Sequence, residues 1–266
     1  KKGVTHTILE RERMSLATVT LAQVLKSAGY TTGIFGKWHL GDEDTYQPDR
    51  RGFDEVFIHG GGGIGQTYPG SCGDVPDNKY FDPVIKHNGR FEKTSGFCTD
   101  IFTAQALKWI ESVKGKKPFF CYIPFNAAHE PLSCPPEFKT PYEGKVPDKV
   151  ATFYGMLANI DENVGQLLAK LKEWRIDTNT LVVLMNDNGG YAPACKIYNA
   201  GMRGSKATAW EGGTRAVSFW RWPGTLKPAT VEQLTSIVDL FPTFAELAGV
   251  TLDAKVKAQV EGRSLV

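Results

Sequence analysis

Three polar sets stand directly behind apolar runs. Lys37 and His39 lie in Gly36-Lys37-Trp38-His39-Leu40-Gly41, behind Thr31-Thr32-Gly33-Ile34-Phe35. His129 lies in Asn126-Ala127-Ala128-His129-Glu130-Pro131, behind Pro118-Phe119-Phe120-Cys121-Tyr122-Ile123. Asp187 and Asn188 close the run that begins Leu181-Val182-Val183-Leu184-Met185-Asn186 and ends in Gly189-Gly190. Lys206 adds a fourth element, on the glycine-rich loop Gly204-Ser205-Lys206. Lysines neutralise oxyanions, and histidines move protons on and off ester oxygens. Asp and Asn offer oxygen to a hard cation such as Ca²⁺ or Mg²⁺. The combination suits chemistry on a tetrahedral oxyanion beside a divalent ion.

Each feature alone has a plainer reading. A loop lysine is usually solvated, and a histidine before Glu-Pro reads equally well as a turn residue. Asp-Asn-Gly is good turn chemistry without any metal. Arg215, behind Glu211-Gly212-Gly213, reads as a structural partner of Glu211, and Trp38 as packing that fixes its loop. Shared position favours the chemical reading. In open α/β sheets ligands bind beyond the carboxyl ends of the strands, so three parallel strands would bring the three sets to one edge.

The elements that must position these residues follow from periodicity and punctuation. Residues 1–15 are charged and irregular, and a helix is expected over 17–28, capped by Ser15 or Thr18 and stopped by Gly29. Its apolar face is Leu16, Leu21, Val24, Leu25 and Ala28. Residues 42–98 read as mostly irregular, with a short apolar piece at Val56-Phe57-Ile58. His59-Gly60-Gly61-Gly62-Gly63-Ile64-Gly65 formally contains GxGxxG. Thr67-Tyr68-Pro69-Gly70 follows it, so no helix opens there to hold a pyrophosphate, and a dinucleotide site is rejected. A loop this long is expected to line a substrate cleft, with Asp77, Asn78 and Tyr80 as sugar contacts or plain loop residues.

Next come a helix over 100–113 capped by Thr99-Asp100, a buried strand at 118–123, and a Pro-rich loop at 132–147. A long helix at 148–174 carries Phe153, Met156, Leu157, Ile160, Val164, Leu167, Leu168 and Leu171 at helical period. The run at 181–186 reads as a fully buried strand of a parallel sheet. A strand at 216–220 and a helix from Ser236 to Gly249 complete the pattern. The fold class is α/β, a mixed, mostly parallel sheet with helices on both faces, in one domain over 1–266 without an internal boundary.

Composition narrows the function classes. With 41% hydrophobic and 23% charged residues and a net charge of +2, nothing points to nucleic acid or an anionic membrane as partner. No apolar run is long enough to span a bilayer, and no signal peptide opens the chain. The five cysteines lack CxxC spacing, which argues against structural zinc and leaves one or two disulfides open.

The ordered segments carry a family likeness. Gly29-Tyr30-Thr31-Thr32 through Gly36-Lys37-Trp38-His39-Leu40-Gly41, the segment His129–Pro131, Asn186-Asp187-Asn188-Gly189, and Gly204-Ser205-Lys206 through Glu211-Gly212-Gly213-Thr214-Arg215 all contribute. So do Trp222-Pro223-Gly224, Asp239-Leu240-Phe241-Pro242-Thr243 and Glu261-Gly262-Arg263-Ser264-Leu265. Together they resemble the type I, formylglycine-dependent sulfatases of the alkaline-phosphatase superfamily.

The resemblance implies a sulfuric ester hydrolase acting through a covalent sulfo-enzyme on an aryl or carbohydrate sulfate. It makes Asp187 and Asn188 metal ligands, for Ca²⁺ with Mg²⁺ as the alternative. It places Lys37 on the nucleophile and the sulfate, and Lys206 on the sulfate and ester oxygen. His39 then takes a proton from the nucleophile's second hydroxyl, and His129 protonates the leaving alcohol. Asn186 stands where the family usually has Ser.

Two family segments have no counterpart here. One is an apolar strand ending in two adjacent Asp. The other is the Cys/Ser-x-Pro-Ser-Arg segment whose Cys or Ser becomes formylglycine. The expectation is therefore a partial catalytic domain, without the first strand and the C-terminal subdomain, with formylglycine supplied upstream and no activity by itself. A sulfated small molecule or glycan is the expected partner, and a secreted, periplasmic or lysosomal location follows from the family. Two alternatives stay open: a phosphodiesterase or phosphonate hydrolase of the same superfamily, and a catalytically dead relative that binds sulfated glycans.

Overall fold

The computed structural model describes residues 13–266. Its regular elements in chain order are α1 (Leu21–Ser27), β1 (Thr31–Lys37), β2 (Glu55–His59), β3 (Val84–His87), β4 (Arg90–Lys93), α2 (Cys98–Val113), β5 (Phe119–Tyr122), α3 (Pro136–Lys139), α4 (Asp148–Glu173), β6 (Val182–Met185), α5 (Ala192–Cys195), α6 (Glu211–Thr214), β7 (Ser218–Arg221), α7 (Leu240–Leu247) and α8 (Ala254–Lys257). They fall into two compact units, Lys1–Pro131 with Thr235–Val266, and Leu132–Leu234.

The first unit is built on a five-stranded sheet of order β4-β3-β2-β1-β5. Its centre is parallel: β1 pairs with β2 on one side and with β5 on the other. Antiparallel β3 and β4 extend it beyond β2. The alternation of side chains in the two central strands explains the layers. Phe35 meets Trp109 of α2 at 5.5 Å, and Phe57 meets Phe102 of α2 edge-on at 6.0 Å. Ile34, Val56 and Ile58 point the other way, into a cluster with Ala22 of α1, Trp38 and Phe53. Helices thus cover both faces, as an α/β sheet requires. Ile34, Phe35 and Ile58 are fully buried, each stabilising the unit by about 1.5–3 kcal/mol.

Several boundaries differ from the sequence expectation, each for a local reason. Helix α1 begins after Thr20, not after Ser15 or Thr18. Thr20 and Gln23 form a reciprocal capping box, while the buried Arg51 guanidinium takes the Thr18 carbonyl at 2.6 Å. That carbonyl is therefore engaged away from any helix running through it. Gly29, with φ 87°, stops the helix as expected. Helix α2 begins at Cys98 behind Phe97, so Asp100 lies in its first turn rather than at a cap. There a carboxylate still favours the helix dipole.

Residues 42–98 are more ordered than expected. Besides β2 they contain the β3–β4 hairpin, turned at Asn88-Gly89 with φ of 45° and 88°. Asn-Gly between short strands is a strong hairpin signal. No helix follows the glycine run 60–65, as the sequence leads one to expect. Strand β5 is half-buried rather than buried, with Tyr122 47% exposed, because among the described residues its one sheet neighbour is β1. Helix α7 packs through Ala245 against Val24 of α1 and Val256 of α8.

In the second unit α4 spans nearly the expected range. Met156 and Leu171 are buried, but Leu157 is 42% exposed. Asn159 and Asn163 take buried positions instead, with Asn163 Nδ2 donating to the Asn159 carbonyl at 2.9 Å. Gly155 lets α3 approach, since a Cβ there would stand 3.1 Å from the backbone of Phe138 and Lys139. The Pro-rich loop 132–147 contains α3 and a 3₁₀ turn, Thr140–Tyr142. Strand β6 corrects a larger expectation. It pairs antiparallel with β7 and is half-buried throughout, not fully buried in a parallel sheet. An apolar run does not name its neighbour, and here that neighbour is an exposed ribbon strand, with Phe219 64% exposed.

Two outcomes follow. Gly36 has φ 144°, and a Cβ on it would lie 2.2 Å from the Pro124 carbonyl oxygen. Gly36→Ala should lower the unfolding free energy by roughly 3 kcal/mol in urea titration, and an unchanged midpoint would contradict this packing. His87 lies 2.8 Å from Glu55 and 3.1 Å from Glu92. Burial pushes its pKa down, but the two carboxylates outweigh burial and raise it above the ordinary histidine value. Stability from the charged imidazole is therefore full below the unfolded value of about 6.5 and is lost as pH rises through the folded value. The stability margin of the wild type over His87→Gln should be largest in mild acid and shrink with rising pH; a margin independent of pH would refute it.

Candidate active site

Parallel pairing decides where Lys37, His39 and His129 go. The carboxyl ends of β2, β1 and β5 share one edge of the sheet. Lys37 is the last residue of β1, half-buried and in register with His59 of β2. The chain beyond it is stitched to both neighbours. The Lys37 N–H donates to the Pro124 carbonyl at 2.7 Å, beyond β5. Those of Trp38 and His39 donate to His59 and Gly60 at 2.9 and 3.2 Å, at the end of β2. Trp38 is packing, as expected: it is buried, its indole N–H reaches the Tyr46 carbonyl at 2.9 Å, and its ring meets Phe53 edge-on. His39 takes φ 54°, a left-handed conformation uncommon outside glycine. Its ring lies against Gly62, where a Cβ would stand 2.9 Å from His39 Nε2.

His129 ends a tight turn beyond β5, its N–H bonded to the Asn126 carbonyl at 2.9 Å. The buried Tyr80 hydroxyl lies 2.9 Å from the Asn126 carbonyl and 2.8 Å from that of His129. The ring is fixed as well. Nδ1 stands 2.7 Å from the Glu130 carbonyl. A carbonyl only accepts, so Nδ1 carries the proton, and Nε2 is the nitrogen that gains and loses one.

The second unit assembles Asp187, Asn188 and Lys206 by glycine contacts. Gly189 N–H donates to Gly213 O, and Lys206 N–H to Gly190 O, both at 3.0 Å. A Cβ on Gly189 would lie 1.9 Å from Gly212 O, so only glycine permits this approach. Asn199 Nδ2 donates to the Met202 and Gly204 carbonyls, both at 2.8 Å, and Arg203 stacks on Trp210. Asp187 and Lys206 are exposed, and Asn188 is half-buried. The expected Glu211–Arg215 contact forms at 3.6 Å, between two exposed side chains.

The metal expectation can be tested on the donor set. Among the described residues no group of three His, Cys, Asp or Glu side chains could hold an ion. Asp187 and Asn188 offer one carboxylate and one amide oxygen, against roughly six to eight oxygens that calcium takes. These residues alone do not make a calcium site. All five cysteines are free thiols.

Sequence reasoning missed the support beneath the edge. Asp42 is buried and accepts from the Tyr68 hydroxyl, from Ser71 Oγ at 2.6 Å, and from the N–H groups of Cys72 and Gly73 at 3.0 and 3.1 Å. Burial pushes its pKa up, and these bonds outweigh burial and hold it below the usual carboxylate value. Asp42 thereby ties the 68–73 loop to the chain just past His39. Asn78 and Tyr80, read as sugar contacts or plain loop residues, are buried structural residues: Asn78 bonds Asp74 and the Val84 carbonyl. Their signal was polarity within a loop, which periodicity cannot rank.

Comparison with known proteins shows the family. The profile of the family described as Sulfatase matches residues 2–250. Arylsulfatase J of Mus musculus is 31% identical over 267 residues, covering 96% of this chain and 43% of that protein. N-acetylgalactosamine-6-sulfatase of Mus musculus is 34% identical over 239 residues, covering 86% of this chain and 45% of that protein. A crystal structure of Ps i-CgsB in complex with k-i-k-neocarrahexaose superposes with a TM-score of 0.87 at 27% identity, covering 100% of this chain and 60% of that one. The chain spans about half the length of the curated relatives it matches. With nearly its whole length under the family profile, the chain belongs to the sulfatase family.

Proposed function

We propose that the protein carrying this chain hydrolyses a sulfate ester, releasing sulfate and an alcohol. The observation that carries the reading is the one sheet edge at which Lys37, His39 and His129 emerge, in a chain of the sulfatase family. Lys37 would neutralise a sulfate oxygen as charge builds on it, and the family likeness gives Lys206 a role of the same kind. His129, with Nδ1 held by the Glu130 carbonyl, would donate from Nε2 to the ester oxygen. As the S–O bond breaks, its electron pair passes to that oxygen, which takes the proton and leaves as the alcohol. His39 would accept a proton at the same edge.

Asp187 and Asn188 are proposed as two of the oxygen ligands of a Ca²⁺ ion, with Mg²⁺ as the alternative, in a shell completed by other donors. A formylglycine hydrate would supply the nucleophilic oxygen; none of the five cysteines lies in the segment that forms it. The chain is proposed as part of the catalytic domain. A carbohydrate sulfate is the favoured substrate class, supported by the neocarrahexaose with which the superposed Ps i-CgsB is in complex. A secreted, periplasmic or lysosomal location is proposed with it. No helix among the described residues is long and apolar enough to cross a membrane.

The test is release of sulfate from an aryl sulfate and a sugar sulfate by the full-length protein, with an aryl phosphate as control. His39→Ala and His129→Ala should each lower kcat by about 10²–10⁴-fold. The His129→Ala loss should be larger with the sugar sulfate, whose alkoxide needs the proton more than a nitrophenolate does. Preference for the phosphate, or equal losses with both leaving groups, would overturn these assignments.

A further inference from the structure

Beneath the edge lies a buried pair that none of those steps uses. His59 ends β2 in register with Lys37, and its ring stacks on Phe102 at 6.3 Å. Its Nδ1 stands 3.6 Å from Asp74 Oδ2, and both side chains are 0% exposed. Asp74 Oδ1 is already engaged, accepting from Val75 N–H at 2.8 Å and Asn78 Nδ2 at 3.0 Å. Among the described residues Oδ2 and both ring nitrogens of His59 have no hydrogen-bond partner. Three unmet polar atoms in the interior are costly. A closure of roughly 0.7 Å would bring Nδ1 and Oδ2 to ordinary hydrogen-bond length.

The same carboxylate touches the loop that seats His39. A Cβ on Gly61 would lie 2.9 Å from Asp74 Oδ2, and one on Gly62 would lie 2.9 Å from His39 Nε2. Gly60 backs onto Gly73, where its Cβ would stand 2.9 Å from the Gly73 carbonyl carbon, and its own carbonyl accepts from the His39 N–H at 3.2 Å. The loop is thus held between the Asp74 carboxylate on one side and the His39 imidazole on the other.

We propose that Asp74 and His59 are positioning residues for His39. Asp74 Oδ2 accepts the Nδ1 proton of His59, and the closed pair fixes the Gly60–Gly62 backbone on which the His39 ring is set. The role of His39 rests on the sulfatase reading; the placement of its ring does not.

The chain has five histidines, few enough to resolve by NMR of the full-length protein labelled with ¹⁵N-histidine. The wild type should show His59 protonated at Nδ1. Asp74→Asn, which turns a donor toward that nitrogen, should move the His59 proton to Nε2 and shift the His39 ring resonances. Its kcat on an aryl sulfate should fall about ten- to hundredfold with KM within about twofold. Gly62→Ala enters the same loop from the other side. It should move the His39 resonances and leave the His59 tautomer unchanged, which keeps the test available if Asp74→Asn does not fold. His59 protonated at Nε2 in the wild type, or His39 resonances indifferent to Asp74→Asn, would overturn the pair. Wild-type spectra as described but without sulfate release would sink the hydrolase reading and leave the pair standing.

Discussion

The parallel pairing of β1 between β2 and β5 is the constraint on which the first unit depends. It sets three strand ends side by side, so residues far apart in sequence reach one edge without any long-range side-chain contact being specified. Backbone hydrogen bonds then carry the register past the strands. Lys37, Trp38 and His39 each donate to a carbonyl at or beyond a neighbouring strand end. Gly36 permits this because its hydrogen, rather than a Cβ, faces the Pro124 carbonyl. Trp38 is buried, and the next residue, His39, takes a left-handed conformation.

Glycine does comparable work in the second unit by another route. There the strand ladder is short and only half-buried, and order comes from backbone passing close to backbone. Gly189, Gly212 and Gly213 each lie where a Cβ would fall within about 2 Å of a carbonyl oxygen. The segments that carry Asp187, Asn188 and Lys206 are thereby drawn together by main-chain contact. The consequence is positional: Lys206 is tied to the Asp187 loop through its main chain, which leaves the ammonium to be aimed by whatever anion it meets.

Much of the candidate site was legible because chemistry and position coincided. Lys37, His39 and His129 stood behind apolar runs that became β1 and β5, and the Gly-Lys-Trp-His-Leu-Gly segment carried the family likeness. Partner choice was not legible. The run at Val182–Met185 has the composition of a buried parallel strand, yet pairs antiparallel with β7. Buried polar support was equally hidden. Asp42, His59 and Asp74 look like loop residues until the fold removes them from water. The start of α1 was misplaced because Arg51, over thirty residues away in sequence, takes a carbonyl that a longer helix would need. The β3–β4 hairpin was missed as well, although Asn88-Gly89 is a strong hairpin signal.

The claim that one sheet edge holds the oxyanion is tested most directly by titrating the full-length, ¹⁵N-histidine-labelled protein with inorganic sulfate. The predicted result is that the ring resonances of His39 and His129 move together along one binding curve, while those of His87, on the β3–β4 hairpin, stay in place. Sulfate that shifts neither His39 nor His129, or moves them with separate affinities, would contradict a single site at the carboxyl ends of β1 and β5.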